Sequence, residues 1–294
     1  MDVLLSQLVA GLSVGSVLLL VAVGLSLTFG QMGVINMAHG EFIMVGAYTA
    51  FVVQGILGAA GLSLLVSIPA AFLIGGVLGV ILEQVLIRHM YHRPLDTLLA
   101  TFGVGLILQQ VARDIFGAPA VDVRAPEWLR GSLEVAGVII PQSRLFILAL
   151  VIVVVAALGL FMTATPMGRR IRAVVLNRDL AETNGIDTRA TDRLTFFIGS
   201  GLAGVAGVTI TLIGATGPTI GANYIVDAFL VVAAGGIGKI KGAVIAAFAL
   251  GVSQAFIEYS TSASIAKFLV LVLVVAFLQF RPQGLFTVRT RSLA

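Results

Sequence analysis

An all-α, polytopic integral membrane protein is predicted by three features of this 294-residue chain. Hydrophobic residues make up 59% of it and charged residues 11%, against about 25% charged in a soluble domain. Apolar runs near the roughly 20 residues needed to cross a bilayer recur from end to end. Lysine and arginine gather between those runs. A chain this apolar cannot keep its surface in water, so lipid is its solvent.

The runs divide into nine candidate segments, at about 4–29, 33–53, 62–87, 97–113, 144–164, 194–214, 225–238, 242–258 and 265–280. This predicts about 8–10 transmembrane or partly spanning helices. The runs 97–113, 225–238 and 242–258 are short, and short or glycine-interrupted segments in transporters often enter the membrane only partway. The opening Met1-Asp2-Val3 has no basic region and no small-residue cleavage site, so it reads as the start of a membrane helix. There are 34 glycines and no cysteine. In membrane helices small residues let backbones approach, so Gly11/Gly15, Gly75/Gly79 and Gly201, Gly204 and Gly207 are candidate helix contacts.

Basic residues set the orientation. With the C-terminus inside, the inner segments hold Arg88, Arg93, Arg169, Arg170, Arg172, Arg178, Arg189, Arg193, Lys239, Lys241, Arg281, Arg289 and Arg291, most of the 18 lysines and arginines. This gives an N-out, C-in arrangement. His89 and His92 extend the basic inner rim. The outer loop, about 114–143, carries three prolines, the only tryptophan, Trp128, and more acids than arginines. A short amphipathic piece near Glu127–Val135 is expected to lie on the outer face, either as a docking surface or as part of an ordinary connection.

The inner loop, about 165–193, is longer than a connector requires. Thr165-Pro166 reads as a helix cap followed by a first-turn proline. Beyond it lie Arg172, Asn177, Arg178, Asp179, Glu182 and Gly185, a mixed-charge stretch closed by glycine. Charge bias alone accounts for the arginines but not for the interleaved acids, so a docking knob is the favoured reading.

Enzymatic and nucleotide chemistry find little support. A phosphate-binding loop needs Gly, four residues, then Gly-Lys-Ser/Thr. Gly235-Gly236-Ile237-Gly238-Lys239 has Ile240 at the hydroxyl position and Ala233 at the first glycine. Its glycines instead mark an unwound or tightly packed helix end. His39 and Glu41 lack the second histidine of a zinc helix, and no nucleophile–base pair is marked. No metal site, cofactor site or nucleic-acid partner is expected.

What remains is a set of polar groups at membrane depth: Asn36, His39, Glu41, Thr97, Thr101, Gln109, Gln110, Asn223, Tyr224, Asp227 and Gln254. Ionisable groups there are costly and mark function by default. Asn36, His39, Glu41, Thr101, Asn223, Tyr224 and Asp227 are the candidates for a solute path. Glu41 and Asp227 stand near the start of glycine-rich segments, where a carboxylate can also accept hydrogen bonds from backbone amides freed at a helix break.

The run Asn36-Met37-Ala38-His39-Gly40-Glu41, the loop end Gly185-Ile186, the segment Ala234-Gly235-Gly236-Ile237-Gly238 and the tail Arg281-Pro282-Gln283-Gly284-Leu285-Phe286 together resemble the permease subunits of bacterial ABC importers for branched-chain amino acids and urea. The resemblance spans nearly the whole chain and keeps its order. Arg93–Thr101, Ile115–Pro119 and Asn223–Asp227 look most like the urea branch. The acidic Glu41 and Asp227 suit a neutral donor-rich cargo better than a carboxylate. The resemblance implies an ABC importer permease fold in one domain, 1–294, in the inner membrane, pairing with a second, related permease. It also implies two cytoplasmic ATPases, which bind ATP and Mg and dock near Asn177–Gly185, and a periplasmic substrate-binding protein. Urea is then the expected cargo, with branched-chain amino acids the alternative. An ATP-independent urea channel and a membrane enzyme using Glu41 and His39 are the competitors of other classes.

Overall fold

A computed structural model describes residues 2–91, 93–135 and 138–286. Met1, His92, Arg289 and Arg291 lie outside them. The chain runs through α1 (Asp2–Met32), α2 (His39–Leu57), α3 (Ala60–Val85) and α4 (Pro94–Phe116). A hairpin of β1 (Ser132–Val135) and β2 (Val138–Pro141) leads into α5 (Gln142–Ala164). Then follow α6 (Pro166–Leu176), α7 (Arg178–Thr183), α8 (Thr188–Ile210), α9 (Ile220–Gly235), α10 (Ile240–Ser260) and α11 (Ala263–Phe280). Among the described residues, 8 helices are long and apolar enough to span a membrane, namely α1 to α5, α8, α10 and α11.

Two of the three short segments are longer than the apolar runs suggested. The helix expected at 97–113 is the 23-residue α4, and that at 242–258 is the 21-residue α10. Polar end residues that hydropathy excludes still complete the helical turns: Pro94 occupies the first turn of α4, and Glu258 lies in the last turn of α10. Only α9, with 16 residues, stays short. The outer loop also departs from expectation. Glu127–Leu129 makes a single tight turn, and Ser132–Val135 is a strand paired with Val138–Pro141, so the expected amphipathic piece near Glu127–Val135 is not one continuous element. Trp128 is exposed on one side and packs edge-on against Phe146, with ring centroids 5.5 Å apart.

The bundle is built around α1 and α8. Residues Val17–Val23 of α1 are apolar around the whole circumference and almost fully covered, as a central helix should be. α8 lies against α1, α2 and α3, while α10 runs along α1. α4, α5 and α11 are peripheral and turn Leu99, Ile107, Val153 and Phe268 outward.

The predicted glycine contacts are where these helices meet. Gly11 and Gly15 lie against the backbone of α10 at Val252 and Ala247. A Cβ on Gly75 would stand 2.7 Å from the Ser200 carbonyl oxygen of α8. Gly201 meets Phe72, Gly204 faces Ala71 and Gly46, and Gly207 packs on Ile43. At the other end of the bundle α9 stops at Gly235, and the chain turns through Gly236 and Gly238 at φ 99° and 74°. Gly238 there lies on Gly30 of α1, and the Leu285 amide donates to the Ala234 carbonyl at 2.8 Å. The glycine cluster is thus a packed helix end.

A side chain at Gly204 would strike the Ala71 backbone of α3. Gly204→Val is therefore expected to lower the thermal denaturation midpoint in detergent by the equivalent of about 1–3 kcal/mol or more. Gly103→Ala, facing open space on α4, should leave it unchanged. Equal midpoints for the two variants would refute the packing account.

Candidate functional site

The site begins where α1 ends. Gly33 takes φ +64°, and the next helix starts only at His39. His39 Nε2 lies 3.3 Å from the Val21 carbonyl oxygen. Val21 is about three turns, roughly 16 Å, before the end of α1. Residues 33–38 therefore fold back into the bundle, and α2 starts at depth. α9 starts beside it: the backbones of Gly40 and Gly221 touch so closely that a methyl on either would collide with the other. Two helix starts thus meet inside protein, where interrupted backbone is tolerated in a membrane.

Four predicted path residues gather at this break. Asn36, His39, Glu41 and Thr101 are all buried. The Met37 amide donates to Thr101 Oγ1 at 3.0 Å, and Thr101 in turn donates to the Thr97 carbonyl at 2.8 Å. Gln109 Nε2 of α4 donates to Glu41 Oε1 at 2.8 Å. Glu41 is not held by freed backbone amides, as its position had suggested. It reaches across to α4, where Gly105 leaves room beside its Cγ. Among the described residues, both amide atoms of Asn36, His39 Nδ1 and Glu41 Oε2 have no hydrogen-bond partner. Buried polar atoms without partners are costly, so this cluster keeps capacity for a polar guest.

Asn223, Tyr224 and Asp227 form a separate group with Lys267 of α11. Lys267 Nζ lies 3.1 Å from Asp227 Oδ2, 3.2 Å from the Asn223 carbonyl oxygen, and 5.9 Å from the Tyr224 ring centroid. Because α9 begins at Ile220, Asp227 lies two turns inside the helix and caps no backbone. Its charge is offset by a cation from α11. The inference from an acidic residue at 227 to a cargo without a carboxylate therefore loses its basis.

The inner loop folds as two short helices. Thr165 Oγ1 caps α6 by accepting from the Gly168 amide at 2.9 Å, and Asn177 Oδ1 caps α7 by accepting from the Leu180 amide at 2.9 Å. Gly185, at φ +78°, closes α7 as its sequence position indicated. Arg172, Asn177, Asp179, Glu182 and Gly185 are exposed, and so are Met167, Leu176 and Leu180.

Arg178 points the other way, into the bundle. Its Nη2 lies 2.6 Å from Asp192 Oδ2, its Nη1 donates to Asp192 Oδ1 at 3.3 Å, and its guanidinium stands 5.3 Å over the Tyr91 ring. Asp192 is completely buried. It also accepts from Gln31 Nε2 at 3.0 Å, while Thr195 donates to Gln31 Oε1. Tyr91 donates to Glu83 at 2.9 Å. One network thus ties α7 to α1, α3 and α8. Burial opposes the charge on Arg178, but its hydrogen bonds to Asp192 and that carboxylate's field outweigh it and raise its pKa. Burial first, then the charges of Asp192 and Glu83, push the Tyr91 phenol up, so it stays a donor. Sequence reasoning missed Gln31, Glu83, Tyr91, Asp192 and Thr195. The available signal was Glu83, a charged group within the apolar run 62–87, and Gln31, a polar group between two such runs.

Among the described residues no cluster of three or more His, Cys, Asp or Glu is arranged to hold a metal. Buried breaks, glycine-packed helices and a solute-compatible polar cluster define a membrane permease. The chain matches, over residues 7–278, the family described as branched-chain amino acid transport system / permease component, and it belongs to that family. It is 31% identical to the high-affinity branched-chain amino acid transport system permease protein BraD of Pseudomonas aeruginosa, over 96% of this chain and 95% of that one. It is 31% identical to the corresponding permease protein LivH of Escherichia coli, over 92% and 93% of the two chains. A probable branched-chain amino acid transport permease protein LivH of Methanocaldococcus jannaschii is 27% identical, over 92% and 88%. No solved structure matches. The chain is therefore a non-catalytic ABC importer permease of the branched-chain amino acid type. Nothing in these relatives points to the urea branch, and the alternative cargo is the better supported.

Arg178→Ala would leave the buried Asp192 carboxylate uncompensated, a loss of about 3–5 kcal/mol. Asp179→Ala, at an exposed position, should cost less than about 0.5 kcal/mol. Thermal unfolding of the two purified variants checks this, and comparable midpoints would count against the network.

Proposed function

We propose that this chain helps form the path by which an ATP-driven importer carries branched-chain amino acids across the bacterial inner membrane. The observation that carries the reading is the meeting of two helix starts at Gly40 and Gly221, beside the unmet hydrogen-bonding capacity of Asn36, His39 and Glu41. Helix N-termini at depth favour the anionic end of a substrate, and the surrounding core is aliphatic, as a branched side chain requires.

The N-terminus is periplasmic and the C-terminus cytoplasmic, by the bias of basic residues toward the end of the bundle holding α6 and α7. A second, related permease completes the path. Two ATPases, holding ATP and Mg, dock on the outward face of α6 and α7, where Met167, Leu176 and Leu180 stand among Arg172, Asp179 and Glu182. Arg178, directed inward, passes their motion to α8 and α1 through Asp192. A periplasmic substrate-binding protein delivers cargo to the loops about 114–143.

Uptake of labelled leucine and labelled urea in cells holding the other subunits, with and without this chain, tests the cargo. Leucine uptake that requires the chain is expected, and chain-dependent uptake of urea alone would overturn the assignment. Glu41→Gln should lower leucine uptake about tenfold at unchanged membrane abundance, the worth of one charge-assisted hydrogen bond. Leu180→Asp should leave the permease assembled in the membrane while ATP hydrolysis no longer drives uptake. Full coupling in that variant would remove α7 from the ATPase contact.

A further inference from the structure

A cavity of about 390 Å³ lies at the end of the bundle remote from α6 and α7, between the N-terminal half of α1, the first turn of α5, α9, the last turn of α10 and the turn after α8. Its size falls in the range of small-molecule sites. Val14, Val17 and Ile213 give it aliphatic walls, and Arg144 and Glu258 both line it. Among the described residues the ion pairs are Arg93–Asp96, Arg178–Asp192 and Lys267–Asp227, so Arg144 and Glu258 pair neither with each other nor with another charge. Two opposite charges bordering one pocket without closing on each other leave between them a place for a molecule that carries both signs. Val17 lies midway along α1, so the pocket reaches from the rim toward the middle of the bundle. Tyr224, also on its wall, connects it to the Asn223–Asp227–Lys267 group and to the α9 start at Gly221.

We propose that this cavity is a receiving site for a free α-amino acid, with the carboxylate on Arg144, the ammonium on Glu258 and an aliphatic side chain against Val14, Val17 and Ile213. A planar guanidinium suits a carboxylate through two parallel hydrogen bonds, and an exposed carboxylate accepts from an ammonium. A neutral cargo such as urea would leave both charges and the aliphatic wall unused. The site rests on the amino-acid reading of the cargo and adds where that cargo first meets this chain, before the break at Gly40 and Gly221.

The test is equilibrium binding to the assembled, detergent-solubilised transporter without its binding protein, using L-leucine, L-leucinamide, which lacks the carboxylate, and 4-methylpentanoate, which lacks the ammonium. The wild type should hold leucine at least about tenfold more tightly than either analogue, the worth of one charge-assisted contact. Arg144→Gln should reduce leucine to the affinity of leucinamide while leaving leucinamide within twofold. Glu258→Gln should reduce leucine to the affinity of 4-methylpentanoate. The charge-keeping Arg144→Lys and Glu258→Asp should restore part of each loss. Leucine binding within twofold of wild type in both glutamine variants would overturn the site. So would equal loss of all three ligands, because that pattern lacks the charge selectivity the site requires. Failure of the cargo reading is separable: it would appear as no chain-dependent leucine uptake by the wild-type transporter in cells, whereas failure of the site alone leaves that uptake in place.

Discussion

Backbone groups inside a bilayer have no water to bond with, and the architecture follows from that constraint. The chain starts a helix at depth twice, at His39 and at Ile220, after a non-helical stretch each time. An interruption survives there only if protein encloses it. Enclosure requires helices to approach more closely than ordinary side chains allow, and glycine supplies the approach: Gly40 on Gly221, Gly46 on Gly204, Gly24 on Gly199 and Gly30 on Gly238. Lipid offers no hydrophobic drive to bring helices together, so close van der Waals contact carries much of the association. The stability of the bundle and the existence of a polar interior are therefore one problem with one solution.

Polar groups divide between two tasks. At one end of the bundle, Arg178, Asp192, Gln31, Thr195, Tyr91 and Glu83 satisfy one another and join the short helix α7 to three membrane helices. A network this complete resists local change. At the break, Asn36, His39 and Glu41 remain partly unsatisfied. That arrangement is less stable, and it is found where the two helix starts meet at Gly40 and Gly221.

Legibility depended on how local the determinant was. The Thr165 cap, the close of α7 at Gly185, the glycine contacts and the packed end at Gly235–Gly238 follow from short stretches, and each is present. Hydropathy shortened α4 and α10, because polar residues at helix ends lower a window average while still making helical hydrogen bonds. The strand at Ser132–Val135 was missed because its partner residues, not its own pattern, define it. Asn36, His39 and Glu41 were conspicuous as polar residues in apolar surroundings. Lys267 was not, since its role comes from Asp227, forty residues earlier in the chain and on another helix.

Composition and spacing alone settled that this is a helical membrane protein, because the solvent a chain needs is a sum over its residues; the permease class came from short local motifs that resemble a known family. They could not settle which charges cancel. Arg178 reads as a docking residue until Asp192 is seen beneath it, and Asp227 reads as a bare acid until Lys267 is seen beside it. Folding decides both, since the interaction of two charges depends on their distance in space and on the water excluded between them, and neither quantity is written in the order of the residues.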